Sequence, residues 1–136
     1  MCCQDQADII RDLIDAQDPE LQRIADEKTR LFAAWAEMEG VTGEAAEAFR
    51  VLNELEFNRM FNAGELPVST TTFTIPAVSD DCPEATLEVR REAEALKAEL
   101  ERLATLCDWL DEQIQKACED QVEEITRIMT DNMNRI

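Results

Sequence analysis

Histidine and tyrosine are absent from this chain of 136 residues. Without histidine there is no Ser-His-Asp or Cys-His arrangement, no imidazole general base and no Glu-x-x-His pair of the di-iron bundle kind. Serine occurs only at Ser69 and Ser79. None of the three glycines precedes a lysine, so no phosphate-binding loop can form. Zinc lacks its usual ligands, since no Cys-x-x-Cys pair is present. No Asp-x-Asp-x-Asp-Gly loop is available for calcium. Long apolar runs are missing too: the longest is Leu31 to Ala36, far short of the roughly 20 residues of a membrane span. The chain is therefore read as a non-enzyme with no cofactor and no metal. Glu44-Ala-Ala-Glu47 has the carboxylate spacing that all-α nucleotide pyrophosphatases use for magnesium, but no second pair follows it, and it reads as a solvated helix face.

What the sequence has in plenty is acid. There are 31 Asp and Glu against 13 Lys and Arg, a formal charge of −18. Both arms share it, with 6 basic against 14 acidic residues in 1–64 and 7 against 14 in 83–136. Such a surface repels phosphate backbones and anionic membranes, which excludes direct nucleic-acid or membrane binding, and it favours a basic protein partner. The N-terminal Met-Cys-Cys-Gln-Asp lacks the basic and apolar regions of a secretion signal. The five cysteines are odd in number and unpaired in pattern. A cytoplasmic protein whose core needs no stapling is the expectation. Cys107 and Cys118 are read as small buried residues, and Cys2 and Cys3 as exposed by position.

The apolar spacing predicts an all-α protein: an elongated helical bundle or coiled coil, forming one domain. Residues 1–64 form an arm of three short helices. The first, from about Asp5 to Gln17, carries Ile9, Ile10, Leu13 and Ile14 on one stripe. Asp18 and Pro19 suit the start of a second, whose seam Leu21, Ile24, Lys28, Leu31, Trp35 and Met38 admits Lys28 with its ammonium in water. Gly40 and Gly43 break the chain, with Thr42 a cap for a third helix through about Ala63. That helix spreads Ala48, Phe49, Leu52, Leu55 and Phe57 over more than one face, which implies two neighbours.

Residues 65–82 are an extended, β-prone connector. Pro67 and Pro76 exclude helix, and Val68 to Ile75 alternates, with Phe73 and Ile75 on one side and Thr70, Thr72 and Thr74 on the other. From Pro83 onward no glycine or further proline occurs, and 83–136 reads as one very long C-terminal helix of ~80 Å, opened by an Asp81–Glu84 capping box. Its first heptad phase is Val89, Ala93, Leu96, Leu100, Leu103, Cys107, Leu110 and Ile114. A four-residue step then resets the seam to Cys118, Val122, Ile125, Met129 and Met133.

The length match between the arms suggests that the three N-terminal helices fold back along the long one, with 64–82 at the turning tip. Alternatively, helices two and three pair and leave the first half of the long helix to another subunit. Either way the seam is too long for the short helices to cover, so a homo-oligomer, in the first instance a dimer, is expected through Val89, Leu96, Leu100, Leu103, Leu110, Ile114, Val122, Ile125 and Met129. Val68, Phe73 and Ile75 of the connector, with Leu106 and Trp109 off the main stripe, are the expected contacts for a further partner. Function follows as protein–protein interaction, a coiled-coil assembly or adaptor. An alternative is a small acidic inhibitor, of viral or phage type, that mimics DNA or blocks a basic nucleic-acid-binding cleft. Two helical arms joined by a β-prone tip also resemble a prefoldin subunit in layout, which would imply a helical-hairpin chaperone.

Overall fold

The computed structural model describes residues 2–71 and 73–135. Thr72, part of the anticipated strand, lies outside them, as do Met1 and Ile136. The fold is all-α, with helices α1 (Cys3–Ala16), α2 (Asp18–Met38), α3 (Glu44–Asn62) and α4 (Glu84–Asn134). Gln17 alone separates α1 from α2. It keeps helical dihedrals, and its carbonyl accepts the Leu21 N–H at 2.9 Å. Both α2 and α3 close on the same device. At Gly40 and Gly64 the backbone turns to φ +72°, which glycine reaches without a Cβ clash. The next two N–H groups then return to the last turn: Gly40 to Glu37 and Val41 to Ala36 in α2, Gly64 to Phe61 and Glu65 to Met60 in α3. This is the Schellman pattern, and it satisfies carbonyls that a helix end would otherwise leave orphaned.

Two expected caps are not used. The residue preceding α3 is Gly43, not Thr42, and its carbonyl accepts from Ala46 and Glu47. At the start of α4 the Pro83 carbonyl accepts from Thr86 and Leu87, so Asp81 stands two residues too far out to cap. The long helix itself is continuous over 51 residues. With no glycine or proline inside it, every interior N–H has its carbonyl four residues back.

The chain divides into two compact units. The first comprises Met1–Glu27 and Pro67–Thr105. Its core holds Ala7 and Ile10 of α1, Ile24 of α2, Phe73, Val78 and Cys82 of the connector, and Val89, Ala93, Leu100 and Leu103 of α4. Here the anticipated strand is corrected: no strand forms among the described residues. The neighbours of the connector are helices whose backbone groups are already paired, so no ladder is on offer. Side chains serve instead. Ser69 N–H donates to Thr105 Oγ1 at 2.9 Å, Phe73 N–H to Thr71 Oγ1 at 3.2 Å, and Ser79 N–H to Gln6 Oε1 at 3.4 Å. Thr105 is buried and passes its own proton back to the Glu101 carbonyl at 2.7 Å, so both its donor and an acceptor site are used. From Thr105 to Cys82 the connector runs back along α4 instead of standing at a turning tip. In the second unit α2 and α3 do pair with each other, through Trp35 with Phe49 and Lys28 with Glu54.

The cysteine reading is also corrected. Cys3 and Cys82 form a disulfide across 79 positions, with Cα atoms 5.6 Å apart. It joins the first residue of α1 to the end of the connector. Cys2 and Cys118 are exposed free thiols and Cys107 is a buried one, so Cys118 is not the core residue its seam position suggested. Disulfides persist in oxidising compartments, and the cysteine pattern therefore gives no support to a cytoplasmic location. No helix among the described residues is long and apolar enough to cross a membrane.

The second unit comprises Lys28–Leu66 and Leu106–Ile136. Its centre is aromatic. Trp35 meets Phe49 edge-on at 4.7 Å and Trp109 edge-on at 5.9 Å, while Phe57 lies 5.7 Å from Trp109 and 5.6 Å from Phe61. Such edge-on pairs place the positive ring edge on a negative ring face. Lys28 does not end in open water: its ammonium meets Glu54 of α3 at 3.1 Å, with both side chains at least three-quarters covered. Arg50 holds the second Glu54 oxygen at 2.8 Å, so the half-buried carboxylate has cations on both sides.

The disulfide generates a direct test. Thiol titration of the denatured, unreduced protein should count three free cysteines of the five. Reduction should lower the melting temperature by roughly 10 °C or more, because opening so long a loop costs about 4 kcal/mol of unfolded-state restriction. Five free thiols before reduction would remove the cross-link.

Candidate interaction surface

The side chains expected to meet partners fall into two groups. Val89, Leu100, Leu103, Leu106, Trp109 and Leu110 are buried by the chain itself, Leu106 and Leu110 completely. Leu96 and Ile114 are half-buried. Within the first unit, α1 and the connector cover what the short helices were thought unable to reach. Phe73 is likewise buried, Ile75 half-buried and Val68 exposed. Leu106 and Trp109 are thus core residues of the second unit and not a free contact face. Their apparent displacement from the stripe has a simple cause: α4 there faces both α2, through Trp35, and α3, through Phe57.

The other group is α4 beyond Ala117. Ala117 is the last buried residue, and it extends the first heptad phase by one more step. From Cys118 to Arg135 every described residue is exposed. Gln121 marks the edge of the packed region, its amide donating to the Met38 carbonyl at the end of α2 at 2.8 Å. Past that point lie Val122, Ile125 and Met129, 58–60% exposed, and Met133 at 72%. Ile128, at 47%, borders them and had not been singled out in the heptad. The four-residue step that resets the seam therefore coincides with the end of the chain's own cover. Each such step advances the apolar stripe about 40° around the helix, away from the line that faces α2 and α3.

A second uncovered face lies on α3, where Val51, Leu52 and Leu55 are 41%, 66% and 59% exposed. The wide stripe of this helix signalled it, since one side faces the aromatic core and the other is left exposed. In the first unit, Ile9 borders a shallow groove shared with Gln6, Pro76 and Ala77.

The charges are arranged as short intrahelical pairs. Arg23, Arg50, Arg59 and Arg127 each hold the glutamate three residues earlier, at 2.5–2.7 Å. Hydrogen bonds from these arginines hold Glu20, Glu47, Glu56 and Glu124 below the usual carboxylate range. A depressed carboxylate stabilises the fold above its unfolded pKa, and this contribution disappears only as pH falls through the lower folded value. At neutral pH the pairs are fully formed, and being exposed they contribute little. Among the described residues no cluster of three or more potential ligands stands ready for a metal ion. Comparison of the chain with protein-family models, with curated proteins and with solved structures finds no match in any of the three.

Two outcomes follow. Trp109→Ala should cost about 3–5 kcal/mol in urea unfolding of the isolated chain, as for any large core aromatic. A change under about 0.5 kcal/mol would return Trp109 to the surface. With a net charge of −18, self-repulsion should outweigh the exposed pairs at pH 7. The melting temperature should then rise between roughly 10 mM and roughly 300 mM salt, over which the Debye length shrinks from about 30 Å to about 6 Å. A falling melting temperature would mean that the Glu–Arg pairs dominate.

Proposed function

We propose that this protein acts by holding other protein chains through the C-terminal part of α4, as a coiled-coil or bundle assembly element, and not by catalysis. The observation that supports this reading is the heptad seam Val122, Ile125, Met129 and Met133, intact in sequence and uncovered in the folded chain. An apolar stripe on a charged helix is maintained against solvent only at a cost. Covering side chains that are about half exposed contributes on the order of 1 kcal/mol each. The absence of histidine from the sequence weighs against the competing enzymatic readings.

Association through the seam is favoured over charge mimicry of DNA by the placement of the cations. Arginines interrupt the carboxylates on every helix, at Arg11, Arg23, Arg50, Arg59, Arg91, Arg102 and Arg127, each beside an acidic residue three positions earlier. A phosphate mimic needs rows of unneutralised acid.

The reading is tested with Ile125→Asp combined with Met129→Asp. Both sites are exposed, so the melting temperature of the lone chain should stay within a few degrees of wild type. Association, measured as mass by light scattering and as proteins retained from the native cell, should be lost. If wild type and variant have the same mass and retain the same partners, the seam is not an interface.

A further inference from the structure

We infer that the occupant of the exposed seam is the seam of a second copy of this chain, lying antiparallel to it. The inference rests on the association reading above and specifies its partner and orientation.

The argument begins with where the charges of α4 stand. At about 100° per residue, Val122, Ile125, Met129 and Met133 share one side of the helix. Asp120, Glu123, Glu124, Arg127 and Asp131 then fall on the other. The positions flanking the seam, which set partner choice in coiled coils through their charge, are Gln121, Thr126, Ile128 and Thr130. None of these four is charged; the one carboxylate on the flanks is Glu119, about 60° around the helix from Val122. A surface built to capture a basic helix would place its acids on those flanks, where they could meet lysine or arginine across the interface. In a chain carrying 31 acidic residues, a single carboxylate on these flanks, placed at the start of the exposed stretch, leaves a face that an identical antiparallel face can approach without carboxylates colliding. The two flanking hydroxyls are already satisfied: Thr126 and Thr130 donate to the carbonyls of Val122 and Thr126, each at 2.9 Å. Covering this edge therefore strands no donor.

Orientation follows from the same charge. A parallel pair would lay two bodies of −18 side by side and bring together two helix C-termini, each the negative end of its dipole. An antiparallel pair overlaps only the exposed segments and holds the two acidic bodies at opposite ends, several Debye lengths of roughly 8 Å apart at physiological salt. Centring the overlap on Arg127 uses the whole exposed stretch from Cys118 to Arg135. In that register Ile125 of one copy faces Met129 of the other, whereas Cys118 lies about 27 Å along the axis from its counterpart, at 1.5 Å per residue.

The test uses the full-length chain with Cys2→Ser and Cys118→Ser, so that the Cys3–Cys82 disulfide is kept and the remaining thiol, Cys107, is buried. Wild type should first give twice the 15.5 kDa chain mass by light scattering at micromolar concentration. Chains bearing Ile125→Cys and differently tagged chains bearing Met129→Cys are then mixed and oxidised. The expected product is the mixed species, Ile125→Cys joined to Met129→Cys, in clear excess over either like pair. Separately, oxidising the Cys2→Ser chain with Cys118 intact should yield no cross-linked dimer. Like pairs in excess, or a Cys118–Cys118 link, would make the dimer parallel and overturn the orientation. A dimer that survives Ile125→Asp with Met129→Asp but is lost in Leu52→Asp would place the copies on α3 and overturn the site. A monomeric wild type that retains another protein through Ile125 and Met129 would overturn the second copy while leaving the association reading intact. A monomer that retains nothing would remove both.

Discussion

Each unit of this protein is organised around a section of one helix whose backbone needs nothing from its neighbours. Between Glu84 and Asn134 no residue interrupts the hydrogen-bond ladder, so α4 offers other elements only side chains. Its partners must do the same. That constraint explains why the connector, β-prone in composition, does not become a strand. A strand demands unpaired backbone opposite it, and helices have none to give. The connector is held by a buried threonine, a glutamine and a disulfide, each supplied at a particular point along its path.

The two units obtain their cores by different means. In the second, α2, α3 and α4 bring four large rings into contact, and a half-buried Lys28–Glu54 pair links α2 to α3 beside them. In the first, α1, the start of α2 and the first part of α4 pack with an extended segment that contributes Phe73, Val78 and Cys82. The Cys3–Cys82 bond supports this unit by limiting the unfolded chain.

Acidity and the exposed apolar surface are connected by position. Carboxylates and their arginine partners occupy the outer sides of the helices, and the exposed apolar seam beyond Ala117 is kept clear of them. A high net charge keeps such a seam from indiscriminate aggregation, because approach by any route other than face to face meets repulsion.

The amino-acid sequence by itself determined the helices. Gly40 and Gly64 mark two ends, the absence of breakers after Pro83 specifies the third long span, and apolar periodicity identifies the inward sides of α1, α2 and α4, because these are local effects of backbone and spacing. It also carried the phase shift at Cys118, although not its meaning. Only the tertiary structure decided which part of the seam is covered. Heptad spacing is the same whether the neighbour is intramolecular or not, so Leu103 and Val122 look alike in sequence while one is 6% and the other 58% exposed. Likewise, Phe73, Leu106 and Trp109 became core, and Cys3 found Cys82, through contacts between residues far apart in the chain. Such contacts depend on where whole elements come to lie, and no local pattern of residues encodes that.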